Sequence, residues 1–177
     1  AVYVHQALNL RSNCRTFETK HACFGAMAGV TSAHDWIASG RANGSKALII
    51  ASDIARYGIG DPGEPTQGAG AVAMVISDAP KLVSFDTIIY GDYTRQVMDF
   101  WRPLYSPVAF VDGHYSIECY LDALEGALKD ATSKVPPNGS IDTKNFQACL
   151  YHVPFVKMAY KAHHRHVEVE SGRSVDP

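Results

Sequence analysis

Residues 16–27 read Thr-Phe-Glu-Thr-Lys-His-Ala-Cys-Phe-Gly-Ala-Met. A short extended run, 16–20, leads into Cys23. Gly25, Ala26, Ala28 and Gly29 follow, and the segment to about Gly40 predicts a helix with Val30, Ala33, Ile37 and Ala38 on one side. The cysteine therefore stands where a strand turns into a helix. Backbone N–H groups at a helix start lack intrahelical partners, and the helix dipole is positive there. Both effects favour the ionised, nucleophilic form of a thiol. Small neighbours let a substrate or another backbone come close. The same pattern also fits a buried structural cysteine at a helix start, and the local residues leave both readings open.

Further along, Asn43, Gly44 and Ser45 are turn residues, and the continuous apolar run within 46–53 predicts a strand buried on both faces. Residues 58–65 carry too much Gly and Pro for a regular element. Residues 67–77 predict a second buried strand. The Gly68–Gly70 pair precedes that strand, whereas phosphate-binding glycines lie between a strand and the following helix. Close backbone approach within a sheet is the better account of it. A third strand is expected over 81–90, and irregular chain with an aromatic cluster at Tyr93, Phe100, Trp101 and Tyr105 over 91–114.

From residue 115 the spacing of Ile117, Leu121, Leu124 and Leu128 predicts an amphipathic helix with Ser116 as N-cap. A short strand over 146–152 and a helix opened by Pro154 complete the pattern. Residues 1–9 read as helix. The order predicts an α/β fold: a mixed, mostly buried sheet with helices on its faces. In such sheets ligands bind beyond the strand ends, and Cys23 and His152 both stand at strand ends.

The chain has 177 residues, 46% hydrophobic and 19% charged, with formal net charge −2, which is globular composition. It carries no basic stripe, so nucleic acid is not expected as a partner. It holds no apolar run long enough for a membrane span. Cys14, Cys23, Cys119 and Cys149 are spaced like neither a disulfide framework nor a zinc site, and a reducing, cytoplasmic setting fits. The sequence opens without Met inside a helical pattern and ends in a polar tail, as a piece of a longer protein would.

The leading chemical pair is Cys23 with His152, whose imidazole can act as acid, base or hydrogen-bond donor to a carbonyl. A histidine at a strand end also serves purely structural roles. Lys157 and Lys161 are one helical turn apart, on one face. They suit the phosphates of a ligand such as coenzyme A, or a solvated surface. His163, His164 and His166 have a metal-like composition but point in different directions on a helix, with no Cys or carboxylate to complete a ligand set, so no metal is expected. Asp53 and Asp99 can orient a site residue or cap a turn.

Five segments carry a resemblance: Phe-Glu-Thr-Lys-His-Ala-Cys-Phe-Gly-Ala (17–26), Ala-Ser-Asp-Ile-Ala-Arg-Tyr-Gly (51–58), Gly-Glu-Pro-Thr-Gln-Gly-Ala-Gly-Ala-Val-Ala-Met (63–74), Asp-Phe-Trp-Arg-Pro (99–103) and Tyr-His-Val-Pro-Phe-Val-Lys-Met (151–158). In this order they resemble the 3-hydroxy-3-methylglutaryl-CoA (HMG-CoA) synthase family, bacterial type, of the thiolase superfamily. The resemblance covers nearly the whole chain. It implies a layered thiolase-like fold, incomplete here, with residues 1–177 as the central part of one domain from the nucleophile to the histidine.

It further implies that Cys23 takes an acetyl group from acetyl-CoA and that His152 binds and polarises the acetoacetyl thioester. Lys157 and Lys161 would lie near coenzyme A phosphates, Asp53 and Asp99 would support the site, and Thr66 would line it. The implied reaction is condensation of acetyl-CoA with acetoacetyl-CoA in the mevalonate pathway, with thioesters as substrates and no separate cofactor, by a cytoplasmic homodimer. A related enzyme of polyketide β-branching, using acyl carrier protein thioesters, is the alternative; a non-catalytic thiolase-like fragment is another. Two departures stand out. Phe24 replaces the family's usual Tyr, and the family's general acid/base glutamate, upstream of the cysteine, has no counterpart here. Glu18 is not its equivalent.

Overall fold

The computed structural model describes residues 1–85, 89–137, 139 and 141–173. The chain divides into two units, Ala1–Ile54 with Ala69–Ser84, and Ala55–Gly68 with Phe85–Pro177.

In the first unit, helices α1 (Val2–Ala7) and α2 (Gly25–Ala38) accompany strands β1 (Ala47–Ala55) and β2 (Gly68–Ile76), which pair as a two-stranded sheet. Burial alternates along the first half of β1, so that Ala47, Ile49 and Ala51 are more covered than Leu48 and Ile50. This is the period-2 signature of a strand covered on one face. The cover is α2, whose Gly29 stands where an added Cβ would lie 3.6 Å from Ile49 Cγ2. Val30 and Ala33 of α2 are buried beside it. The expectation of burial on both faces is not met: Leu48 and Ile50 of β1 and Val72 and Val75 of β2 are exposed. The close approach expected at Gly68 and Gly70 is also absent, since a Cβ at either would meet nothing within 4 Å.

The segment 15–20, expected as a strand, forms no ladder. It runs beside the start of α2, and Thr19 Oγ1 donates a hydrogen bond to the Gly25 carbonyl at 2.7 Å.

The second unit is built on helices α3 (Gly113–Ser133) and α4 (Met158–Ser171), which pack on each other. Met158, Ala162 and His166 recur every four residues on α4 and are buried, as one helix face must be when it meets another. Glu125 of α3 accepts from Arg165 of α4 at 2.8 Å and also from Lys129, and the two cations hold its carboxyl below the usual range. A small antiparallel hairpin, β3 (Phe100–Trp101) and β4 (Phe110–Val111), orders the stretch expected to be irregular, with Trp101 against Phe110.

Three boundaries differ from the sequence reading. Helix α3 is capped by Asp112, which accepts from Tyr115 N at 3.1 Å, because Ser116 already lies inside the helix. Helix α4 begins at Met158, since 154–157 form turns after Pro154. No strand forms at 146–152, where the chain finds no ladder partner, nor at 81–85 and 89–90; residues 86–88 lie outside the described residues. The segment at 89–95 is instead strapped along α3. Asp92 N donates to Asp130, Lys134 reaches the Tyr90 carbonyl, and Arg95 pairs with Asp122 at 3.0 Å. Gly91 is required there, because a Cβ would overlap the Ala127 carbonyl.

Candidate active site

Cys23 and Asp53 belong to the first unit; Thr66, Asp99, His152, Lys157 and Lys161 belong to the second.

Cys23 sits on a tight turn. Phe24 N donates to the His21 carbonyl at 3.0 Å and Gly25 N to the Ala22 carbonyl at 3.1 Å. Ala22 adopts a left-handed conformation, φ +42°. That is costly for a residue with a Cβ and is seen where surrounding structure holds it in place. The turn leaves the thiol exposed, two residues before the first residue of α2. The buried-structural reading of Cys23 therefore fails. No side chain caps the start of α2; Gly25 N is taken by the Ala22 carbonyl, and the N–H groups after it in the first turn can face an anion. Gly25 lets the 16–20 segment approach: its Cβ would lie 3.4 Å from the Thr19 carbonyl oxygen. Asp53 lies on β1 and is exposed.

In the second unit, α3 gathers two of the expected residues. Ser116 and Tyr120 are one turn apart on it. Ser116 Oγ donates to Asp99 Oδ2 at 2.9 Å. Tyr120 Oη donates to the His152 carbonyl at 3.0 Å, and the two rings stack with centroids 6.3 Å apart and planes at 29°. Burial raises the Tyr120 hydroxyl above the ordinary phenol range, which keeps it a donor. Asp99 also precedes β3, whose Phe100 meets Tyr57. Tyr57 begins the loop that carries Thr66. This loop is self-braced: Asp61 accepts from Gly58 N and Glu64 from Gly60 N, each at 2.8 Å, and Thr66 Oγ1 donates to the Gly63 carbonyl at 2.7 Å.

Behind His152, Tyr151 Oη lies 2.9 Å from His166 Nδ1 and 3.1 Å from His163 Nδ1. His166 is buried. Its Nε2 lies 3.3 Å from Glu170 and makes no well-aligned hydrogen bond. Burial lowers the His166 pKa, Glu170 opposes this and His163 adds to it. Glu170 also accepts from Thr143 N and Oγ1. Two of the three metal-like histidines, His163 and His166, thus contact Tyr151, and no group of metal ligands occurs among the described residues. Lys157 caps α4 and Lys161 follows one turn later; both are exposed, on a strip beside the buried Met158–Ala162–His166 face.

Sequence reasoning missed Tyr120, Tyr151 and the structural use of His166. The i, i+4 spacing of Ser116 and Tyr120 was the available signal. No helix among the described residues is long and apolar enough to cross a membrane.

Residues 7–81 match the family pattern described as hydroxymethylglutaryl-coenzyme A synthase N terminal, and residues 83–171 match its C terminal counterpart. A hydroxymethylglutaryl-CoA synthase of Enterococcus faecalis is 35% identical over 92% of this chain. The polyketide biosynthesis 3-hydroxy-3-methylglutaryl-ACP synthase PksG of Bacillus subtilis is 38% identical over 92%. The chain spans about 40% of the length of each of these two curated relatives. Among solved structures, MvaS in complex with 3-hydroxy-3-methylglutaryl coenzyme A superposes on 99% of the chain with TM-score 0.91 and 43% identity, over 44% of its own length.

Proposed function

Because the chain belongs to the hydroxymethylglutaryl-CoA synthase family, we propose that it carries the nucleophile and the acceptor-side histidine of an enzyme that condenses acetyl-CoA with acetoacetyl-CoA. The fold is the α/β thiolase-like one of that family.

The observation that carries the proposal is the exposed Cys23 on its strained turn at the uncapped start of α2. The Cys23 thiolate attacks the acetyl thioester carbonyl. The C–S bond to coenzyme A breaks, and the thiol of coenzyme A leaves with a proton. The acetyl group now rides on Cys23, which splits one difficult condensation into easier steps. The acetyl methyl then loses a proton and its carbon attacks the ketone of acetoacetyl-CoA. The ketone C=O π bond breaks as the C–C bond forms, and its oxygen takes up a proton to become the tertiary hydroxyl, while His152 binds and polarises the acceptor thioester by a hydrogen bond. Water finally cleaves the bond to Cys23. No residue of this chain is assigned as the base that removes the methyl proton.

Lys157 and Lys161 supply cationic contacts to the phosphates of coenzyme A. Asp53 supports Cys23 within the first unit, and Asp99 and Thr66 support His152 within the second, Asp99 from its place on Ser116. No cofactor other than the thioesters is needed. The setting is cytoplasmic, in keeping with a relative in Mus musculus named as cytoplasmic, and the assembly is a homodimer.

A second reading has a specific observation behind it. Structures of the curacin biosynthetic pathway HMG synthase, one with an acetyl donor-ACP, superpose with TM-scores of 0.86 and 0.87. In that reading the thioesters arrive on an acyl carrier protein.

Intact-protein mass spectrometry with peptide mapping, after mixing with acetyl-CoA or with an acetylated carrier protein, tests both. One acetyl group on Cys23 from acetyl-CoA is the expected result. Faster loading from the carrier protein would favour the polyketide reading, and loading from neither would defeat both.

A further inference from the structure

His152 ends a stretch, 146–152, that makes no ladder. Its backbone carbonyl therefore has no sheet partner, and its ring is exposed. A catalytic ring in that position is useful only if something holds its plane, since an exposed imidazole otherwise samples several rotamers. Tyr120 meets both needs at once. Its hydroxyl takes the orphan carbonyl at 3.0 Å and its ring lies against the imidazole at 29°. Tyr120 belongs to a rigid 21-residue helix, and the turn below it carries Ser116 and hence Asp99.

We propose that Tyr120 is a positioning residue for His152: it fixes the imidazole by a carbonyl hydrogen bond and a stacked ring, and sets it on the same α3 edge that holds Asp99. The proposal rests on the reading of His152 as the acceptor-side residue. Tyr120 itself acts only through His152.

The test is the reactivity of individual histidines in the 177-residue chain toward diethyl pyrocarbonate, followed by peptide mapping. The rate at His152 is taken relative to His114, which is exposed and not in contact with Tyr120. In Tyr120→Leu, which loses both contacts, His152 should react about fivefold faster than in the wild type, with circular dichroism unchanged. Tyr120→Phe keeps the ring and should give about a twofold rise. It should also shift the His152 carbonyl carbon resonance, a signature that survives if the Leu variant does not fold. An unchanged His152 rate in the folded Leu variant, or an unmoved carbonyl resonance in the Phe variant, would overturn the proposal. Protection of His152 by acetoacetyl-CoA separates the two claims. If the Tyr120 variants behave as expected but acetoacetyl-CoA gives no protection, the acceptor role fails while the positioning contact stands.

Discussion

Tyr151 Oη lies 2.9 Å from Nδ1 of the buried His166. The residue before His152 is thereby anchored to α4, fifteen positions further along the chain. Because burial is the main cause that lowers the His166 pKa, the folded chain resists protonating it. The unfolded chain takes up that proton once the pH falls below the ordinary imidazole value of 6.5. Stability from this group is therefore present above 6.5 and lost as the pH falls through the depressed folded value. Charged and titratable neighbours are Glu170, His163 and Tyr151. Thermal unfolding followed from neutral to mildly acidic pH should show a steeper loss for the wild type than for His166→Gln. Equal slopes would rule out His166 as the source.

For His152, replacement by Ala should leave acetyl loading of Cys23 intact and reduce condensation with acetoacetyl-CoA on the order of a hundredfold, the size seen when one hydrogen-bond donor is removed from an active site. Mass spectrometry reads the first step and product formation the second, in the catalytically complete enzyme. Equal loss of both steps would contradict an acceptor-side role.

Lys157 and Lys161 are both exposed at the start of α4. The paired change Lys157→Ala with Lys161→Ala should raise the acetyl-CoA concentration needed for half-maximal loading of Cys23 by about tenfold at low salt. Added salt should shrink the difference, since exposed charge contacts are screened. A concentration dependence unaltered at low salt would place the phosphates elsewhere.

Met158 is 1% exposed and opens α4, the helix that packs on α3. Met158→Ala should destabilise the second unit by about 2–5 kcal/mol through lost burial and the cavity left behind. Urea denaturation followed through α-helical signal measures this. A loss below about 1 kcal/mol would mean that the site collapses to fill the space.

Helix existence was legible from sequence wherever a periodic apolar face was strong, as in α2 and α3. The cysteine's place at the start of α2 was legible too, because small residues and the change of period mark a turn into a helix locally. Strands were legible only where two apolar runs found each other, as β1 and β2 do. Residues 146–152 look like a strand but lack a partner, and a ladder is a property of two segments. Exposure of Leu48 and Ile50 could not be read either, since composition records what a strand is suited to meet and not what covers it.

The linear order of motifs alone determined the family, the nucleophile candidate and the α/β class, because each is written in residues close together along the chain. Tertiary structure alone decided what holds the site residues. Tyr120 meets His152 across 32 positions and Ser116 meets Asp99 across 17. Such contacts form only when α3 packs beside segments remote from it, and the energy that brings them together comes from the burial of helix faces.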